Sequence, residues 1–177
     1  KIVAAGLRRG RARVAARGRH WEEGASEADI FDAKADALAV LGALGVALGG
    51  LQIVAGGPGW FHPGRVGTLQ FGPKNIIGYI GQLHPRVLET LDIEAPLVGF
   101  EIVLDDIPLP KAKPTKTKPK LELSDLMPVE RDFAFLADRH VKAADLLRAV
   151  QSADRALITG VTLFDIYEGS EIPAGKK

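Results

Sequence analysis

The sequence predicts an α+β fold: a mainly antiparallel sheet carrying helices, then a smaller strand–helix–strand unit. Three observations lead there. Several short apolar segments are joined by glycine-rich turns too short for a crossover, which implies hairpins. Other segments carry apolar residues at helical spacing. Between the two regions lies Lys111-Ala-Lys-Pro-Thr-Lys-Thr-Lys-Pro-Lys120, with five Lys and no acid. Proline keeps such a stretch extended and Lys self-repulsion stiffens it, so it marks a linker. The predicted organisation is a first module over residues 1–106, a linker over 107–123 and a second module over 124–177.

The elements follow in order. Residues 1–19 alternate loosely, with Leu7, Val14 and many Arg, and read as one or two strands around Gly6 and Gly10. Asp32 is the expected N-cap of a helix. Ala37, Leu38, Leu41, Leu44 and Leu48 recur at its spacing, and Gly45, Gly49 and Gly50 end it. Residues 51–55 form a short strand before the turn Gly56-Gly-Pro-Gly59. Residues 66–71 and 75–83 read as a hairpin through Gly72-Pro-Lys74. Pro85 suits the first position of a short helix, and residues 97–104 make a well-formed strand. Past the linker, residues 129–136 read as a strand, 143–150 as a helix with Leu146, Leu147 and Val150 on one side, and 156–169 as a strand. Strand–helix–strand is half of a split βαβ, ferredoxin-like unit. Half a unit leaves an apolar face bare, so a strand, a helix and a strand are expected after Lys177. The first residue is Lys rather than Met, which likewise leads to the expectation of a longer protein.

Composition narrows the chemistry. There is no cysteine, which excludes disulfides and thiolate metal sites. No apolar run reaches membrane-spanning length and no signal pattern opens the chain. The expected setting is reducing, soluble and cytoplasmic. The net charge of +1 conceals an uneven distribution. Residues 1–20 carry seven Lys or Arg and no acid, whereas residues 21–106 carry four bases and twelve acids. Basic islands in a near-neutral chain fit a polyanionic partner. For the linker alone, simple solvation by Lys is the preferred reading.

The motifs offer no catalytic centre. Gly56-Gly-Pro-Gly59 is not a dinucleotide fingerprint, and Pro58 removes a backbone donor, so it reads as a turn. Gly169 to Gly175-Lys176 has the wrong spacing for a phosphate loop and lacks its Ser or Thr. His20, His62, His84 and His140 show no metal-ligand spacing. His62 and His84 each precede a proline and read as turn and helix-opening residues. Ser26, Ser124, Ser152 and Ser170 lack a nucleophile elbow, and no carboxylate pair is placed for acid–base work. No catalytic residue and no metal site are assigned.

One segment carries recognition chemistry. In the strand expected over 156–169, Leu163, Asp165 and Tyr167 share a face opposite Phe164 and Ile166. An aromatic ring and a carboxylate about 7 Å apart can grip one unpaired base. The ring stacks and the carboxylate accepts from the base edge. Taken alone, the pattern is better read as the polar decoration of an ordinary edge strand.

Several stretches together carry a resemblance. Trp60-Phe-His-Pro-Gly-Arg65, Gly78-Tyr-Ile-Gly-Gln-Leu-His-Pro-Arg-Val-Leu88, Phe100-Glu-Ile-Val-Leu-Asp105, Pro128-Val-Glu-Arg-Asp-Phe-Ala-Phe135 and Phe164-Asp-Ile-Tyr-Glu-Gly169 occur in this order. Through nearly its whole length the chain resembles the C-terminal part of bacterial phenylalanyl-tRNA synthetase beta subunits. The resemblance implies that residues 1–106 are a class II synthetase-like antiparallel module without chemistry, serving as scaffold and interface. The ATP-holding arginine motifs of class II enzymes are absent here; Arg86 sits on a helix opened through His-Pro. It implies that residues 124–177 are the first half of a ferredoxin-fold anticodon-binding domain. It places Tyr167 on the first anticodon base and Asp165 on the N1–H and N2–H of a guanine. Arg131 and Asp132 match a further signature, as a phosphate contact or as an ion pair within the sheet. The implied activity is phenylalanine–tRNA ligation with ATP and Mg2+, run on an alpha subunit, in a tetramer of two alpha and two beta chains acting on tRNA(Phe). No cofactor is expected on this chain. The alternatives are a free-standing RNA-binding or assembly module that charges nothing, and an enzyme in its own right.

Overall fold

A carboxylate starts the first helix. Asp29 stands in extended backbone and its side chain accepts from the N–H groups of Phe31 and Asp32, while the Asp32 carboxylate accepts from the Asp29 N–H. This reciprocal box satisfies donors that a helix start leaves unpaired. The N-cap is therefore Asp29, and the expected Asp32 is its partner three residues on. The structure is a computed structural model describing residues 1–9, 27–108, 120–121 and 124–177. The expected strand around Gly10 and Val14, the basic residues 10–20, His20, Ser26 and the linker residues 109–119 and 122–123 lie outside the described residues.

The chain divides into two units, Lys1–Thr117 and Lys118–Lys177. The first contains, in order, β1 (Val3–Arg9), α1 (Ile30–Ala43), β2 (Gln52–Ala55), β3 (Phe61–Gln70), β4 (Ile76–Leu83), α2 (Pro85–Thr90) and β5 (Leu97–Val103). The strands form one antiparallel sheet in the order β1-β5-β4-β3-β2. Helix α1 stops earlier than the apolar spacing suggests. Gly45 takes φ 74° and the Val46 N–H donates to the Leu41 carbonyl, a left-handed C-terminal cap that glycine favours. Leu48 falls in a separate short 3-10 turn.

Helix α1 covers one face of the sheet. Ala37 and Leu41 meet Leu69, Ile80, Phe100 and Ile102 in the core cluster. The Arg8 guanidinium of β1 grips the Asp36 carboxylate of α1, with Nη2···Oδ1 at 2.6 Å. Two irregularities shape the β3–β4 hairpin. Leu69 pairs with Gly78 and Gln70 with Ile76, so Ile77 is an extra residue turned into the core. At the other end Phe61 pairs with Leu83 and Val66 with Gly81. Residues 62–65 thus stand opposite the single residue Gln82. Such a bulge re-aims side chains away from the ladder.

The second unit contains α3 (Ala143–Ala153). The strands expected over 129–136 and 156–169 are not formed. Neither segment carries a ladder, and the described pairing is a single antiparallel bridge, Asp138 to Lys176. The reason lies in the topology. The two strands of a split βαβ unit stand apart with room for another strand between them, so they cannot bond to each other. None of the described residues of this unit is buried.

Candidate functional site

The candidate residues sit around a groove in the second unit. Leu146, Leu147 and Val150 of α3 line its floor, with residues 133–137 and 161–167 at its sides, enclosing about 370 Å³. The amphipathic spacing of α3 aims these three residues at the groove and leaves Asp145 and Arg148, an i,i+3 ion pair, in solvent. Asp165 and Tyr167 both line the groove, whereas Arg131 and Asp132 lie outside it. The structure thus brings together the first pair of predicted residues and leaves the second apart.

Tyr167 is 59% exposed. Its ring lies against Gly169, where any side chain would collide with the phenol. The absent side chain leaves room for the ring. The Asp165 Oδ1 accepts from the Ile166 N–H at 2.8 Å. That contact orients the carboxylate, and its other oxygen has no partner among the described residues. Arg131 donates to the Glu130 carbonyl at 2.9 Å and forms no ion pair with Asp132 among the described residues. Phe133 and Phe135 stack at 6.3 Å between ring centroids and are both exposed.

Two ion pairs that the sequence does not disclose fix this region. Arg139 meets Glu168 at 3.1 Å, which anchors the chain beside Tyr167. Lys176 is paired with Asp138 and, by hydrogen bond and charge, holds that carboxyl below its ordinary value. The backbones of Ala137 and Lys177 exchange two hydrogen bonds, at 3.0 and 2.9 Å. The alternating acids and bases are visible in the sequence. Which of them meet depends on contacts between segments far apart in the chain, which spacing does not disclose.

Among the described residues no three His, Asp or Glu gather to hold a metal. Gly56 opens its turn at φ 107°, and Pro58 offers no N–H to a phosphate. No helix among the described residues is long and apolar enough to cross a membrane.

Comparison with known proteins adds family matches to this geometry. The model of the phenylalanyl tRNA synthetase beta chain CLM domain matches residues 10–104, and that of the ferredoxin-fold anticodon binding domain matches residues 124–177. The chain is 57% identical over 176 residues to the phenylalanine–tRNA ligase beta subunit of Bradyrhizobium diazoefficiens. It is 54% identical over 175 residues to that of Mesorhizobium japonicum and 56% over 181 residues to that of Nitrobacter winogradskyi. Each match covers 99% of this chain and 22% of the relative. The chain spans about a fifth of the length of the curated relatives it matches.

Proposed function

Because the chain belongs to the phenylalanyl-tRNA synthetase beta chain family, we propose that it is the tRNA-gripping, non-catalytic part of a phenylalanine–tRNA ligase. Residues 124–177 bind the anticodon, and residues 1–106 form a scaffold that meets a partner subunit. Activation of phenylalanine with ATP and Mg2+, and its transfer to tRNA(Phe), take place on an alpha subunit. The assembly is a cytoplasmic heterotetramer of two such pairs.

One observation carries the anticodon reading. Within the region matched to the anticodon-binding model, an exposed aromatic ring and a carboxylate oxygen line one groove. Tyr167 stacks on an unpaired base, and Asp165 accepts from the donors of a guanine edge. Arg131, which is exposed and free of carboxylates among the described residues, serves a phosphate, with Asp132 beside it. Stacking contributes about 1–3 kcal/mol per base. Tyr167→Ala in the complete enzyme therefore lowers tRNA affinity or kcat/KM for tRNA roughly 5- to 150-fold. Unchanged kinetics defeat the assignment.

A further inference from the structure

We propose that the bulge of β3, together with the end of β4, is a second RNA contact surface that holds phosphate oxygens away from the anticodon. It rests on the reading of the chain as a tRNA-binding synthetase part. The surface is built from His62, Arg65, Gln82, His84, Arg86 and Trp60.

The register places most of these residues together. His62 and Arg65 lie in the bulged segment opposite Gln82, and the Arg65 Nη1 donates to Gln82 Oε1 at 2.7 Å. The rings of His62 and His84 stack with centroids 6.4 Å apart. The His84 N–H donates to the Trp60 carbonyl at 2.8 Å, which brings the half-exposed indole to the same end of the hairpin. Arg86 follows two residues after His84.

The hydrogen bonds of the histidines decide what they can hold. Nδ1 of His62 accepts from the Gly64 N–H at 3.1 Å, and Nδ1 of His84 accepts from the Arg86 N–H at 3.2 Å. A neutral imidazole that accepts at Nδ1 carries its hydrogen on Nε2. Both rings therefore offer Nε2–H donors. A metal ion requires a bare nitrogen and is disfavoured, because binding at Nε2 would put a proton on Nδ1 facing a backbone N–H. An anionic oxygen is the natural acceptor.

Charge points the same way. Residues 37–88 contain no Asp or Glu, yet hold Arg65, Lys74 and Arg86, three of the four bases between residues 21 and 106. Neither Arg65 nor Arg86 has an ion pair among the described residues. A protein interface depletes charge at its centre. A polar, basic patch with one exposed aromatic ring is the pattern of a nucleic-acid surface.

The test uses the complete enzyme and labelled transcripts of the cognate tRNA and of an anticodon-altered version. The double variant Arg65→Gln/Arg86→Gln weakens both transcripts alike, roughly tenfold at low salt. The slope of log affinity against log salt becomes shallower by about 1.4, the value for two single-strand phosphate contacts. His62→Leu weakens binding and His62→Gln, which keeps an N–H donor near the place of Nε2, restores it. An unchanged salt slope overturns the proposal, as does a loss confined to the cognate anticodon. Intact tRNA binding with a dissociated partner subunit also overturns it, and makes the patch a protein interface. Loss in the arginine variant with no effect of Tyr167→Ala defeats the anticodon assignment alone. The converse defeats this surface alone.

Discussion

Glu101 is a partly buried charge in the sheet. It lies on β5 between Ala5 of β1 and Tyr79 of β4, on the face opposite Phe100 and Ile102. Burial raises its carboxyl above the ordinary value. The folded state thus holds this proton more tightly than the unfolded chain does, so the contribution of Glu101 is best in acid and is lost as pH rises through the folded value. Glu101→Gln removes the charge. Its melting temperature should exceed that of the parent at pH 7, with the gap closing below about pH 4, the range of an unperturbed Glu. An equal gap at both pH values would show that charge is not the cause. Gly78 is constrained differently. A Cβ there runs into the Glu101 carbonyl of the neighbouring strand, and a laddered backbone cannot step aside. Gly78→Ala should cost about 1–3 kcal/mol in denaturant titration.

Among the elements, α1 is what turns a sheet into a module. It brings Leu41, fully buried, onto Leu69, Ile80 and Ile102. Leu41→Ala should destabilise the first unit by about 2–5 kcal/mol, the range for truncating a buried Leu. A loss below 1 kcal/mol would mean that α1 does not anchor the core. The limits of α1 were only partly legible. Apolar spacing continued to Leu48, but the glycine at position 45 outranks spacing, because a left-handed cap closes the hydrogen bonds at once. The bulge at residues 62–65 was hidden for a related reason. The sequence marked His62 and Pro63 as turn material, yet only pairing with β4 makes them stand opposite Gln82.

Across the whole chain the two units differ in how much they bury. The first has a core that includes Leu41, Leu69, Ile77 and Ile102 at or near zero exposure, whereas no described residue of the second is buried. Local stability follows burial. Hydrogen exchange on the 177-residue chain should show strong protection in β4 and β5 and weak protection in α3. Equal protection in α3 would mean that its groove is already filled. The family, the hairpins and the helices could be read from residue order, because turns, caps and helical spacing are set by near neighbours. The tertiary structure alone decided the β1-β5-β4-β3-β2 order, the bulges, the His62–His84 stack and the absence of ladders over 129–136 and 156–169. A helix closes its hydrogen bonds within itself, whereas a strand exists only when a distant segment arrives beside it.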